Sequence, residues 1–303
     1  MKGQFVYSEE VQNAIDCGVP IVALESTIIA HGMPYPENVN TAKRLGDIIR
    51  EAGCVPAIIA IAEGKAHVGI DNSLLELIAN EEDVLKVSRR DIPFALASNA
   101  LGATTVSGTL VLANAAGIKV FVTGGIGGAH RGSEKSMDIS ADLEELAISN
   151  VAVVSAGVKA ILDLPKTLEI LETKGVPVIG YRTDELPAFY TRSSGLKLVA
   201  TAETVDEIAL IMKSKWDLGL AGSILVANPI PEEFEADAKV INVAIEEALI
   251  LANKEGISGK GITPFILAHV SELTGGHSLS ANVALVENNA RLGAQIAFAF
   301  SKL

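Results

Sequence analysis

Short apolar runs rich in valine, isoleucine and alanine recur along this chain, at residues 20–24, 57–62, 84–87, 119–122, 151–154, 177–181 and 223–227. Each is only four to six residues long and lacks strict apolar–polar alternation. Runs of that kind are buried on both faces, as parallel strands are when helices cover both sides of their sheet. Helical patterns lie between them. Residues 36–52 place Val39, Ala42, Leu45, Ile48, Ile49 and Ala52 on one face, and Gly53 ends the segment. Residues 204–216 follow the same pattern. A turn at 62–64 followed by an apolar 66–70 predicts a hairpin, which makes the sheet mixed. Strand alternating with helix predicts an α/β sandwich. Three helices in succession, at 237–253, 264–273 and 281–300, end the chain and are expected to cover one face or mediate assembly. No linker, repeat or low-complexity tract interrupts residues 1–303, so one domain is expected.

Composition narrows the function. The 24 basic and 37 acidic residues give a formal net charge of −13. A nucleic-acid partner is therefore not expected, because that affinity rests on clustered lysine and arginine releasing counterions. Aromatic residues make up only 4% of the chain, so the core is aliphatic. The mean hydropathy of +0.37 raises the question of a membrane span, and residues 92–118 carry no charge at all. They do hold Pro93, Asn99, Gly102, Thr104, Thr105, Ser107 and Asn114, which is too polar for lipid. That stretch reads as a buried strand or loop followed by a helix. No apolar signal core precedes Glu9 and Glu10, and Cys17 and Cys54 have no metal or redox spacing. A soluble, cytoplasmic protein without membrane contact is expected.

Common motifs are missing. There is no G-x-x-x-x-G-K-[ST] loop, no G-x-S-x-G and no H-E-x-x-H, and His130 stands where G-x-G-x-x-G needs its third glycine. The informative block runs from Thr123 to Asp142: T-G-G-I-G-G-A-H-R-G-S-E-K-S-M-D-I-S-A-D. It follows the strand 119–122, at the end where open α/β sheets bind ligands. Its glycines either bring backbone N–H groups to an anion or serve the turn alone. Asp138, Ser140 and Asp142 alternate, so in an extended segment they share a side and suit a hard cation such as Mg²⁺ or Mn²⁺. The alternative is that Ser140 or Asp142 caps a helix over 143–148.

Two titratable groups stand at strand ends. Lys159 follows the strand 151–154 through Ser155-Ala-Gly-Val. A desolvated lysine there could be lowered from about 10.4 to about 7–8, at a cost of about 4 kcal/mol, and become a Schiff-base nucleophile. Solvation at the surface is its ordinary alternative. Glu25 ends the first apolar run, where partial burial raises a carboxyl and suits it to donate a proton; capping or ion pairing is the competing role. The histidines His31, His67, His130, His269 and His277 show no ligand spacing.

Taken together, Glu25-Ser-Thr-Ile-Ile-Ala-His31-Gly, Thr123-Gly-Gly-Ile-Gly-Gly, Asp138-Ile-Ser-Ala-Asp142 and Ser155-Ala-Gly-Val-Lys159 resemble the pseudouridine-5′-phosphate glycosidase (indigoidine synthase A-like) family. The likeness continues through Tyr181-Arg-Thr-Asp-Glu-Leu-Pro-Ala-Phe, Asn228-Pro-Ile-Pro and Leu279-Ser-Ala-Asn-Val-Ala-Leu-Val. The resemblance implies a three-layer α/β/α sandwich around a mixed, mostly parallel sheet. It also implies a homotrimer, one Mn²⁺ per subunit, and reversible cleavage of pseudouridine 5′-phosphate to uracil and ribose 5-phosphate. Position by position, it makes Lys159 the covalent nucleophile, Glu25 the proton donor and Asp138 the metal ligand. Lys86, Val106, Ser140, Ala141 and Asp142 become substrate contacts, and Thr123, His130 and Asn282 polar residues lining the same cavity. Two other readings share some of these residues: an imine-forming aldolase or lyase acting on another sugar phosphate, and a non-catalytic phosphosugar-binding protein.

Overall fold

A computed structural model describes residues 4–257 and 259–303. Its strands are β1 (Phe5–Tyr7), β2 (Ile21–Leu24), β3 (Val55–Ala62), β4 (Lys65–Val68), β5 (Leu85–Val87), β6 (Gly102–Thr104), β7 (Val120–Val122), β8 (Ala152–Ser155), β9 (Val178–Tyr181), β10 (Ala200–Ala202) and β11 (Ile224–Ala227). They form one mixed sheet in the order β1-β4-β3-β2-β7-β8-β11-β9-β10, with β6 also against β3 and β5 beyond β6. Among the described strands only β3 with β4 and β3 with β6 run antiparallel. The hairpin expected at 62–64 is the β3–β4 connection, where Ala62 pairs with Lys65 across a two-residue turn.

All of the apolar runs are strands, and the central ones, β2, β7, β8 and β11, are buried almost throughout. The uncharged stretch 92–118 contains a short helix (Ile92–Ala97), β6 and a second helix (Val106–Ala115). The long terminal helix His277–Phe300 lies across β2, β7 and β8, flanked by the helices Glu37–Glu51 and Val205–Asp217. The helix Val106–Ala115 packs on β2 and β3, beside Ala141–Leu146, and makes the other outer layer. The three-layer sandwich is thus present. Among the described residues no helix is long and apolar enough to cross a membrane.

One irregularity positions the site. The first half of β3 pairs with β2 through Leu24↔Ile58, where β2 stops. The second half pairs with β6 instead, from Ala60↔Ala103. At this fork two side-chain hydroxyls replace the lost ladder. Ser26 Oγ donates to the Ile59 carbonyl at 2.7 Å and accepts from the Thr104 N–H at 2.8 Å. Thr104 Oγ1 donates to the same carbonyl at 2.7 Å. Both side chains are fully buried, where a missing partner would cost about 1–3 kcal/mol. Pinned this way, the chain leaves β2 with Glu25 at the carboxyl end of the parallel strands.

Candidate active site

The segments after β2, β7 and β8 converge at that end. Beyond β7 and β8 the chains stay paired. The Ala156 N–H donates to the Gly124 carbonyl at 2.8 Å, Ile126 N–H to Gly157 at 3.1 Å, and Lys159 N–H to Ile126 at 3.1 Å. Lys159 is therefore held by an extension of the sheet and not by a free loop. Gly157 makes the path possible: its φ is +81°, and a Cβ there would stand 2.2 Å from the Pro187 carbonyl oxygen.

Two adjoining compartments result. A polar cleft of about 400 Å³ is lined by Val106, His130, Asp138, Ser140, Ala141 and Asp142, among others. A tighter inner chamber carries Thr123, Asn282, His31 and Phe189. Glu25, Lys86 and Lys159 line both and form the wall between them, with Thr27 and Thr263. Every site residue named from the sequence thus borders one compartment or both.

Glu25 is buried, and Thr123 Oγ1 donates a hydrogen bond to its Oε1. Burial raises the carboxyl above its usual range; the charges of Lys159 and Lys86 and the Thr123 hydroxyl work against that, and Asp142 adds to it. With Oε1 accepting from Thr123, Oε2 is the oxygen left to carry a proton. The Lys86 amine is pushed down to about 8, first by burial and then by the Lys159 charge. It donates to the Lys260 carbonyl at 3.2 Å. Burial also lowers His130, helped by Lys86 and opposed by Asp138.

Asp142 departs from expectation. Its Oδ1 accepts from the Ser107 N–H and its Oδ2 from the Gly127 N–H, both at 2.8 Å. One N–H of the glycine loop therefore serves a carboxylate of the chain itself. Ser140 caps the helix Ala141–Leu146 by accepting from the Asp142 N–H, so the helix begins two residues before the expected 143. The extended D-x-S-x-D geometry ends at Ser140, because Asp142 already lies in the first helical turn. Val106 has its side chain in the core at 1% exposure, so what it can offer a ligand is its backbone at the N-terminus of Val106–Ala115.

Asp138 sits half-buried on a small antiparallel excursion, where Ala129 bridges Ile139 and the His130 N–H donates to the Asp138 carbonyl at 3.0 Å. Among the described residues no three His, Cys, Asp or Glu side chains form a metal-binding group. One carboxylate with a neighbouring hydroxyl suits a hard cation that keeps several of its waters, as Mg²⁺ and Mn²⁺ do; it does not suit a closed zinc cage. The residues present fit a hydrated divalent ion at Asp138.

Several lining residues escaped the sequence reading. Arg89, Arg90 and Lys260 add positive charge to the cleft, although Arg89 pairs with the buried Glu145 and Lys260 with Asp91. Ser88 and Asp91 form a capping box around Arg89 and Arg90, a signal legible in Ser-Arg-Arg-Asp. Phe189 reaches the chamber with φ +66°. No local pattern announces that.

Residues 10–299 match the family described as Indigoidine synthase A like protein. The chain is 59% identical to the pseudouridine-5′-phosphate glycosidase of Caldanaerobacter subterraneus subsp. tengcongensis, over 98% of its own length and 96% of the relative's. It is 56% identical to that of Staphylococcus aureus, over 98% of its own length and 97% of the relative's. Among solved structures it matches the prealnumycin C-glycosynthase AlnA in complex with ribulose 5-phosphate, with a TM-score of 0.91, 39% identity, and coverage of 99% of this chain and 98% of that one. An indigoidine synthase A-like protein of Thermotoga maritima matches with a TM-score of 0.90 at 37% identity, covering 98% of this chain and 96% of that one.

Proposed function

The chain belongs to the indigoidine synthase A-like family, and we propose on that footing that it cleaves and forms the carbon–carbon glycosidic bond of pseudouridine 5′-phosphate, exchanging it with uracil and ribose 5-phosphate. Relatives of that activity at more than half identity over nearly the whole chain support the reaction. The observation that carries the assignment of roles is the shared wall: Glu25, Lys86 and Lys159 stand between a polar cleft and an inner chamber.

The bond joins ribose C1′ to a ring carbon of uracil, so protonating a heteroatom leaving group, the usual work of a glycosidase acid, does not suffice. In our reading the Lys159 amine attacks C1′ while Glu25, protonated through burial, gives its proton to the ring oxygen and opens the sugar. The ammonium formed by the attack returns its proton to Glu25, which delivers it to the uracil carbon, and the C1′–C bond can then break. Its electrons return to the pyrimidine, and the nitrogen lone pair forms the imine at C1′. Water hydrolyses the imine, releasing ribose 5-phosphate and the lysine. The sugar phosphate belongs in the cleft, against Lys86 and the Val106 N–H, and the base on the Asn282 and Phe189 side. Asp138 would hold a hydrated Mn²⁺, which when bound supplies fixed positive charge beside the sugar phosphate. Thorough chelation is expected to lower turnover at least about tenfold. Added Mn²⁺ should restore it in the native protein but not in Asp138→Ala; full activity after chelation would remove the ion.

Lys86 gives a pH signature. Its ammonium is the charged form below about 8, so charge for the phosphate is lost as pH rises through that value. KM for the phosphosugar should therefore climb about tenfold by pH 9, and Lys86→Met should have a high KM that no longer changes there. A flat KM in the native enzyme would place the phosphate elsewhere. The function itself is tested by incubating the protein with uracil and ribose 5-phosphate and looking for pseudouridine 5′-phosphate, with other phosphosugars alongside. Cleavage of those alone would favour an aldolase. Binding without turnover would favour a phosphosugar-binding protein. The homotrimer implied by the resemblance belongs to the same proposal, and light scattering should give three times the mass of the chain.

A further inference from the structure

Two asparagines behind the site have no part in the chemistry above. Asn289 lies on the terminal helix and is fully buried; Asn228 follows β11 and is 5% exposed. Asn228 Nδ2 donates to Asn289 Oδ1 at 2.9 Å, and Asn289 Nδ2 donates to the Thr123 carbonyl at 2.9 Å and, more weakly, to Gly124 at 3.5 Å. The Asn228 backbone N–H donates to the Ser155 carbonyl at 2.8 Å. The amide orientation is forced, since a flipped Asn289 would turn its oxygen toward two carbonyls. Gly293, one turn further along the helix, lets the helix sit close enough for this contact: a Cβ there would be 2.2 Å from Val122.

We propose that Asn228 and Asn289 form a buried amide relay that positions Thr123, and through its hydroxyl the Glu25 carboxyl, in register with the segment leading to Lys159. The relay joins three strand ends: β11 through Asn228, β8 through Ser155 and β7 through Thr123. Buried polar groups of this kind are costly unless each is paired, and once paired they select one geometry. Hydrophobic contact alone would let the terminal helix slide on β7 by tenths of an ångström. Three directional hydrogen bonds to Asn289 do not. The proposal rests on the proton-donor role given to Glu25 above.

The test is a carboxyl titration followed by ¹³C NMR in protein labelled at glutamate, with the Glu25 signal assigned by its loss in Glu25→Gln. The charges facing Glu25 are Lys159, Lys86 and Asp142, and none of them is altered by the variants. Loss of a well-placed hydroxyl donor favours the protonated form, so Asn289→Leu should raise the Glu25 midpoint by roughly one pH unit. Turnover should fall about tenfold with KM within about twofold. Thr123→Val should produce the same shift, and the double variant should add little to either. A lowered melting temperature with an unmoved Glu25 midpoint would overturn the relay. Should Asn289→Leu fail to fold, Asn228→Ala decides: it leaves the Thr123 contact in place and frees the Asn289 amide. A smaller shift in the same direction supports the proposal, and none overturns it. Full turnover in Glu25→Gln would instead sink the functional reading and leave the titration result standing.

Discussion

Replacing Lys159 with alanine is expected to reduce turnover by about four orders of magnitude or more, while the fold and the affinity for a divalent cation remain unchanged. The size follows from what is removed. With no covalent bond to C1′, there is no nitrogen lone pair to form the imine as the carbon–carbon bond breaks. Lys86 shares the wall, yet it sits on β5 and its amine is engaged by the Lys260 carbonyl. Borohydride added with ribose 5-phosphate should fix the sugar phosphate on the native chain as a secondary amine, with the added mass on the peptide containing Lys159. The label should be absent from Lys159→Ala and present in Asp138→Ala. Near-normal turnover in Lys159→Ala, or trapping on Lys86, would remove the imine route as drawn.

How much of this was legible in the amino acids differs between fold and site. The apolar runs mark strands whose burial is set by their own composition, such as Val151-Ala-Val-Val, and those were readable. β6 is Gly-Ala-Thr, and it becomes a strand only because β3 and β5 flank it. β1 and β10 are equally short and equally dependent on a partner. Positions at the carboxyl ends of parallel strands were readable too, which is why Glu25, Thr123 and Lys159 stood out. Arg89, Lys260, His31 and Phe189 did not, because each comes from a separate segment and the fork in β3 has no local signature. Asp142 shows what spacing leaves out. Its spacing from Asp138 suggested a ligand for cation or substrate, whereas two backbone N–H groups fix its carboxylate and leave one acceptor position on each oxygen. Sequence spacing reports which side chains can meet, and hydrogen bonds decide what they have left to offer.

Glu25→Gln keeps the shape and removes the proton. A general acid typically contributes about 10²–10⁴ in rate, and turnover should drop within that range. The pH dependence carries the stronger test. Burial raises the Glu25 carboxyl, and only its protonated form can open the sugar ring, so native turnover should decline as pH rises through that raised value. Glu25→Gln should lack that limb altogether. Stability moves in the matching direction. A carboxyl raised above its unfolded value of 4.5 is protonated in both states at low pH and carries no penalty there. As pH rises from the unfolded value toward the folded one, the unfolded chain ionises first and the native state loses ground. Glu25→Gln escapes this loss, so its melting temperature should match that of the native protein near pH 4 and exceed it at neutral pH. A variant less stable than the native protein at neutral pH would mean that Glu25 is held as a paired carboxylate, and a carboxylate has no proton to give to the ring oxygen.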